Sequence, residues 1–301
     1  MAATSAPATS TPLRGVDGLR RLLRLTRDVP LLPLLILMPL VLVALFANVF
    51  APYDPTLPVP GARMFTPPFW LPGGNPQTLL GTDFQGRDIL SRLLFGARVS
   101  LIVGLFGTLV AGSIGTAMGI LAGYLGGWAD QVIMRLTDAW LALPALVFAI
   151  FLATLLGPSM WNIIIILGLV YWTRYARVIR GEVLSLRERE YVKLAELAGA
   201  NKRRVIRRHI LPNVLNTTTV LASLTIGVVI IAEASLSFLG VGVPPPQPAW
   251  GLMLAEARPT LMAGKWWLTV FPGACILLVV LATQLFGDWL RVRLDPQLRN
   301  L

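Results

Sequence analysis

Residues 99–129 and 139–173 contain no Asp, Glu, Lys or Arg. Uncharged apolar runs of that length suit helices that cross a bilayer, each of which needs about 20 such residues. The composition agrees: 55% of the chain is hydrophobic and 14% charged, whereas soluble domains carry about 25% charged residues. The expectation is an all-α polytopic membrane protein. A single cysteine, Cys275, excludes a disulfide framework, and a single histidine, His209, argues against a histidine-based metal site. The net charge of +11 would suit nucleic acid, but the basic residues flank apolar runs as topology determinants do. No nucleic-acid partner is expected.

Six spans are predicted. Residues 1–30 form a tail of small residues followed by Arg14, Arg20, Arg21, Arg24 and Arg27, with too little apolar bulk to fold. Residues 31–50 form the first span. The run is too long for the apolar region of a cleaved leader, and Pro33 and Pro39 should bend it. Residues 51–97 form a loop rich in Pro and Gly, in which Asp54, Asp83 and Asp88 balance Arg63, Arg87 and Arg92. A core of five further spans fills 98–290, at about 98–124, 132–156, 161–179, 214–239 and 266–290. Residues 291–301 form a tail. Six crossings leave both termini on one side. If that side is the cytoplasm, 20 of the 26 basic residues lie inside, as the positive-inside rule requires. Arg174 and Arg177 then snorkel at the inner interface, and Trp266 and Trp267 stand at the outer one.

The charged segment 187–213 divides into two amphipathic helical pieces around Gly199. Tyr191, Leu194, Ala195 and Ala198 recur at helical spacing on the first. Gly199 permits a sharp turn through positive φ. The second piece, 202–208, is densely basic, and Pro212 is expected to end it before the next span. Such a surface suits either docking into a groove on a soluble partner or contact with anionic headgroups.

Ala195, Gly199, Leu211 and Pro212 resemble in spacing the cytoplasmic "EAA" loop of ABC-importer permeases, and 209–213, His-Ile-Leu-Pro-Asn, is similar to its peptide-permease form. Residues 81–88, with Ser91-Arg92 and Gly96-Ala97-Arg98, resemble the stretch before the second span of dipeptide and oligopeptide permease C subunits. Trp250-Gly251, Phe271-Pro272-Gly273, Gly287-Asp288, Arg291 and Leu294-Asp295-Pro296 extend the likeness over about 81–299. The resemblance implies a type I ABC-importer permease fold with six transmembrane helices and both termini cytoplasmic, in the cell membrane of a bacterium or archaeon. It implies a sister permease forming a heterodimer, two ATP-binding subunits that hold ATP and Mg, an extracytoplasmic solute-binding protein and a peptide substrate. The coupling loop would comprise Glu190, Tyr191, Lys193, Leu194, Ala195, Glu196, Ala198, Gly199, Ala200, Arg203 and Arg204. Where the family's loop usually has Glu-Ala-Ala, this chain has Lys193-Leu194-Ala195, leaving Glu190 or Glu196 to replace the missing glutamate.

Four further features invite a reading. Ala111, Gly115, Gly119, Gly123 and Gly127 recur every four residues and would form a smooth ridge for helix packing or a face toward substrate. Glu233 lies in an uncharged run, roughly 30 Å along a helix from Asn213. It would border the translocation pathway or bond through Ser235 and Ser237. Pro144 would kink the third span against that pathway or a packed neighbour. Arg135 and Asp138 read as an intrahelical pair. No G-x-x-x-x-G-K-[ST] motif and no plausible catalytic constellation occur, so the expected chain is neither an enzyme nor a holder of cofactor or metal. A secondary transporter or channel would call for more buried ionisable groups and an internal repeat. A membrane-embedded enzyme would call for clustered catalytic groups. An importer permease for nickel chelates or oligosaccharides is the nearer alternative.

Overall fold

A computed structural model describes residues 30–294; the basic N-terminal tail and the segment from Asp295 onward lie outside them. Among the described residues the elements are helical: α1 (Leu31–Leu45), α2 (Ala47–Phe50), α3 (Ile89–Leu125), α4 (Gly127–Leu141), α5 (Ala145–Leu156), α6 (Met160–Arg187), α7 (Glu190–Leu197), α8 (Lys202–Val205), α9 (Leu211–Phe238), α10 (Trp250–Ala257) and α11 (Trp267–Leu294). Four continuous helices are long and apolar enough to cross a membrane, and the pair α4 and α5 makes a fifth if it is one broken span.

α3 is the central mast. It begins at Ile89, well before the expected Arg98, because Asp88 caps it: the carboxylate accepts from the Ser91 amide and hydroxyl, both at 2.7 Å. At 37 residues it is about 55 Å long, beyond the ~30 Å of a hydrocarbon core. α6 lies along it in the most extensive helix pairing of the molecule, and α9 and α11 complete the bundle.

The first span is interrupted, and not by its prolines. The helix persists through Pro33 and Pro39 and breaks at Phe46. Arg98 of α3 donates to the carbonyls of Ala44 at 2.8 Å and Leu45 at 3.2 Å, with Asn48 at 3.2 Å. Those two carbonyls would otherwise serve the next helical turn, so a neighbouring side chain competes with the ladder and opens it.

The third span is likewise not one helix. α4 and α5 meet at 92° because Pro144 has no N–H and disfavours helical geometry at the residue before it. The Trp140 indole donates to the Leu169 carbonyl at 2.7 Å and meets Phe148 and Trp172 edge-on. The bend is therefore clasped onto α6. Asp138 pairs with Arg177 of α6 at 2.6 Å rather than with Arg135, and Arg180 grips Asp130 through two bonds. These cross-helix pairs hold α4 where intrahelical pairing was expected.

Pro212 does not separate the basic piece from the next span. Helix runs unbroken from Lys202 to Phe238, and Ile206–Ile210 forms a π segment just before the proline. A π turn shifts the bonding by one residue, which accommodates the missing donor and the bulk of the ring.

Candidate functional site

The two poles of α3 are built differently. At its N-terminal pole, Asp83 accepts from Arg87 at 2.6 Å and from Arg92, while Glu256 of α10 lies 3.2 Å from Arg87 and 2.7 Å from Arg92. Two carboxylates balance two guanidiniums, and both arginines are almost fully buried. This cluster ties the first Pro-rich connection to the second. α10 is locked further by Trp250, whose indole donates to the Leu93 carbonyl at 3.0 Å over Gly96. The balanced Asp and Arg of the loop were visible as composition, but the partner, Glu256, lies 169 residues from Arg87 in the chain.

The opposite pole carries the segment 187–213. α7 ends in a Schellman turn: the Gly199 amide bonds the Glu196 carbonyl at 3.0 Å, the Ala200 amide bonds Ala195 at 3.1 Å, and Gly199 has φ +81°. Asn201 then caps α8 through the Arg204 amide at 2.8 Å. The segment is plugged into the bundle by Val192, Val205 and Ile210, all fully buried against Ile120 and Tyr124 of α3, Ile179, Val183 and Leu186 of α6 and Val214 of α9. Val192, absent from the expected face, is the inward residue of α7.

The outward side is distinctive. Leu194 and Leu197 are 64% and 84% exposed, and Glu190, Tyr191, Lys193, Ala198, Arg203 and Arg204 share that exposure, with Ala195 and Ala200 half-buried. The two candidate glutamates are not equivalent. Glu196 accepts from the Tyr124 hydroxyl at 2.7 Å and is committed to α3. Glu190 is exposed. Lys193 pairs with Glu188 at 2.8 Å; that bond holds the Glu188 carboxyl below its ordinary range.

The remaining predicted residues fall into place separately. Gly115, Gly119 and Gly123 lie against α6: a methyl on Gly115 would strike the Trp172 carbonyl, one on Gly119 would sit 2.8 Å from the Ala176 carbonyl, and one on Gly123 2.8 Å from Val183. Gly127 is not on this ridge. It opens α4 with φ +54° and has nothing within 4 Å, because Gly126 ends α3 before the ridge reaches it. Glu233 is fully buried; it accepts from Ser237 at 2.8 Å and from Ser100 of α3 at 3.2 Å. Ser235 turns away to the Ile231 carbonyl, so of the two serines only Ser237 serves the carboxylate. Pro144 is exposed at its bend. Among the described residues no group of three or more His, Cys, Asp or Glu is placed to hold a metal ion.

One pole of the bundle is knitted shut by buried ion pairs, and the other presents an anchored helix with two exposed leucines, in an all-helical protein with several helices long enough to cross a membrane. The chain belongs to the family of binding-protein-dependent transport system inner membrane components, whose family model matches residues 115–300. It is a non-catalytic permease subunit and a multi-pass membrane protein. Among its relatives is the di/tripeptide transport system permease protein DppC of Pseudomonas aeruginosa (strain UCBPP-PA14), 44% identical over 267 residues that cover 89% of this chain and 88% of the relative. The dipeptide permease DppC of Haemophilus influenzae is 40% identical over 90% of this chain and 91% of its own. The glutathione transport system permease protein GsiD of Pectobacterium atrosepticum is 40% identical over 87% and 84%. An autonomous carrier or channel is not favoured beside these relatives.

Proposed function

We propose that this chain is one of two permease subunits of an ATP-driven importer for di- and oligopeptides in the cell membrane of a bacterium or archaeon. Its partners are a sister permease, two ATP-binding subunits that hold ATP and Mg, and an extracytoplasmic solute-binding protein. The chain crosses six times with both termini cytoplasmic. α1 and α2 together form the first crossing, and α4 with α5 the broken third. Residues 51–97 and α10 face the loaded binding protein, and 187–213 faces the ATPases.

The observation that carries this reading is the two-sidedness of α7. Exposed Leu194 and Leu197 in an aqueous setting cost free energy unless a partner covers them, while Val192 on the other side is locked into the core. A pull on α7 would pass through Val192 and the Tyr124–Glu196 bond to α3, and through Val205 and Ile210 to α6 and α9. The glycine seam lets α3 and α6 move as one body, so closure of the ATPases turns rigid helices and switches the side to which the pathway opens. In this reading Glu190, not Glu196, is the carboxylate free to reach a partner. A largely apolar groove lies between α3 and α9, with Thr108, Ser113, Thr116 and Thr218 among its lining. In this reading Pro144 borders the pathway at the α4–α5 bend, and Glu233 with Ser237 braces the outer end of α9 from within.

The outer pole supports the topology. Arg87 and Arg92 are neutralised in the buried cluster, Arg98 is spent on carbonyls, and Arg258 and Lys265 sit over the rings of Phe238 and Phe65. Most Lys and Arg residues lie toward the other pole, on the side the positive-inside rule makes cytoplasmic. Reconstitution tests the function. Vesicles holding both permeases, the ATP-binding subunits and the binding protein should accumulate labelled dialanine only with ATP inside the coupled compartment. Accumulation by vesicles without the ATP-binding subunits would restore the carrier reading instead.

A further inference from the structure

A cleft of about 460 Å³ opens between the end of α6, the start of α9 and the end of α11. Its polar lining consists of Glu182, Arg189, Asn213, Asn216, Thr217 and Arg291. The composition of this lining is specific. Oε2 of Glu182 is buried and has no hydrogen-bond partner among the described residues, although Thr217 stands beside the carboxyl and Arg189 is near enough to act on it. A buried carboxylate oxygen left without a donor costs free energy, so the fold holds an acceptor open toward a polar cavity. Two guanidiniums border the same cavity.

A simple anion would be repelled by Glu182, and a simple cation by Arg189 and Arg291. A molecule carrying one charge of each sign satisfies all three. We propose that this cleft is a binding site for the zwitterionic termini of a short peptide at the exit of the pathway. The α-ammonium donates to Glu182, the α-carboxylate accepts from Arg189 and Arg291, and the peptide amide meets Asn216 and the free side of Asn213. The Asn213 amide nitrogen is already spent on the His209 carbonyl at 2.6 Å, which leaves its oxygen as an acceptor. An extended dipeptide spans about 7 Å between its ends, well within such a cleft. Recognition through termini is indifferent to side chains, as an exit shared by many peptides requires. This inference rests on the reading of the chain as a peptide-importer subunit.

The test uses the permease–ATPase complex in nanodiscs without the solute-binding protein, so that any peptide bound is bound by the membrane complex. Cys275→Ser removes the native thiol, and Val220→Cys places a new one on the cleft wall for modification by a maleimide. Millimolar dialanine should slow that modification. N-acetyl-dialanine and dialaninamide, each lacking one charge, should protect about tenfold less well, as expected for loss of a charge-assisted bond. In the same background Glu182→Gln should treat dialanine and its acetyl form alike while still rejecting the amide, and Arg291→Gln should do the converse. Equal protection by the blocked peptides, protection by inorganic phosphate as strong as by dialanine, or no protection would each overturn the proposal. ATP-dependent uptake by the complete system separates the two levels. Uptake without protection of Cys at 220 refutes only the exit site, whereas absent uptake refutes the importer reading beneath it.

Discussion

Gly115 sits at the tightest point of the longest seam in the molecule, where a side chain on α3 would fall on the backbone of α6 at Trp172. Backbone cannot swing away as a rotamer can, so Gly115→Ala has to separate the two helices. Overpacking of this kind costs about 1–3 kcal/mol and sometimes more. Gly127, four positions past Gly123 in the same sequence ladder, meets nothing; Gly127→Ala there bears only the strain of a positive φ, about 1 kcal/mol. Thermal unfolding of the two purified variants should therefore rank Gly115→Ala clearly below Gly127→Ala. Equal losses would mean that the α3–α6 seam does not set stability. The spacing of the ladder was plain in the sequence, but its end was not. A repeat every four residues continues on paper through Gly126, whereas the helix stops there in an extended, positive-φ conformation.

At the scale of elements, the handle α7 is worth only as much as its attachments. Tyr124 and Glu196 are 72 residues apart, and their 2.7 Å bond joins α7 to the C-terminal end of α3. A hydrogen bond to a charged group contributes about 1.5–3 kcal/mol, enough to decide whether α3 follows when α7 is pulled. Tyr124→Phe should leave ATP hydrolysis by the assembled complex measurable while peptide uptake per ATP falls several-fold. Glu196→Gln, which keeps an acceptor for the tyrosine, should keep coupling near wild type. Loss of uptake and hydrolysis together in Tyr124→Phe would point to a folding defect rather than to transmission.

What the sequence made legible at this scale follows from what is local. The apolar runs, the turn at Gly199, the basic character of α8 and the break at Pro144 each depend on residues close together in the chain. The breaks and extensions that escaped depend on distant partners. Arg98 opens α1 through carbonyls more than fifty positions away, and the buried cluster needs Glu256 beside Arg87 and Arg92. Pro212 looked like a terminator because proline usually is one; a π segment absorbs it, and no local pattern announces that.

The whole molecule is asymmetric along α3. At one pole, two buried arginines and two carboxylates neutralise each other, and removing one partner of such a set costs about 3–5 kcal/mol, so that end is stiff. At the other pole, α7 and α8 are anchored by three buried apolar residues yet turn two leucines outward. In the proposed importer, a stiff bundle gripped at this end would transmit the motion of the ATP-binding subunits. The measurement that tests this most directly is site-specific crosslinking from Leu197→Cys, in the Cys275→Ser background, within the transport-competent complex. A crosslink to an ATP-binding subunit is expected, with a yield that changes when nucleotide is added. A complex that imports peptide while the thiol at 197 reaches only lipid or the sister permease would contradict it.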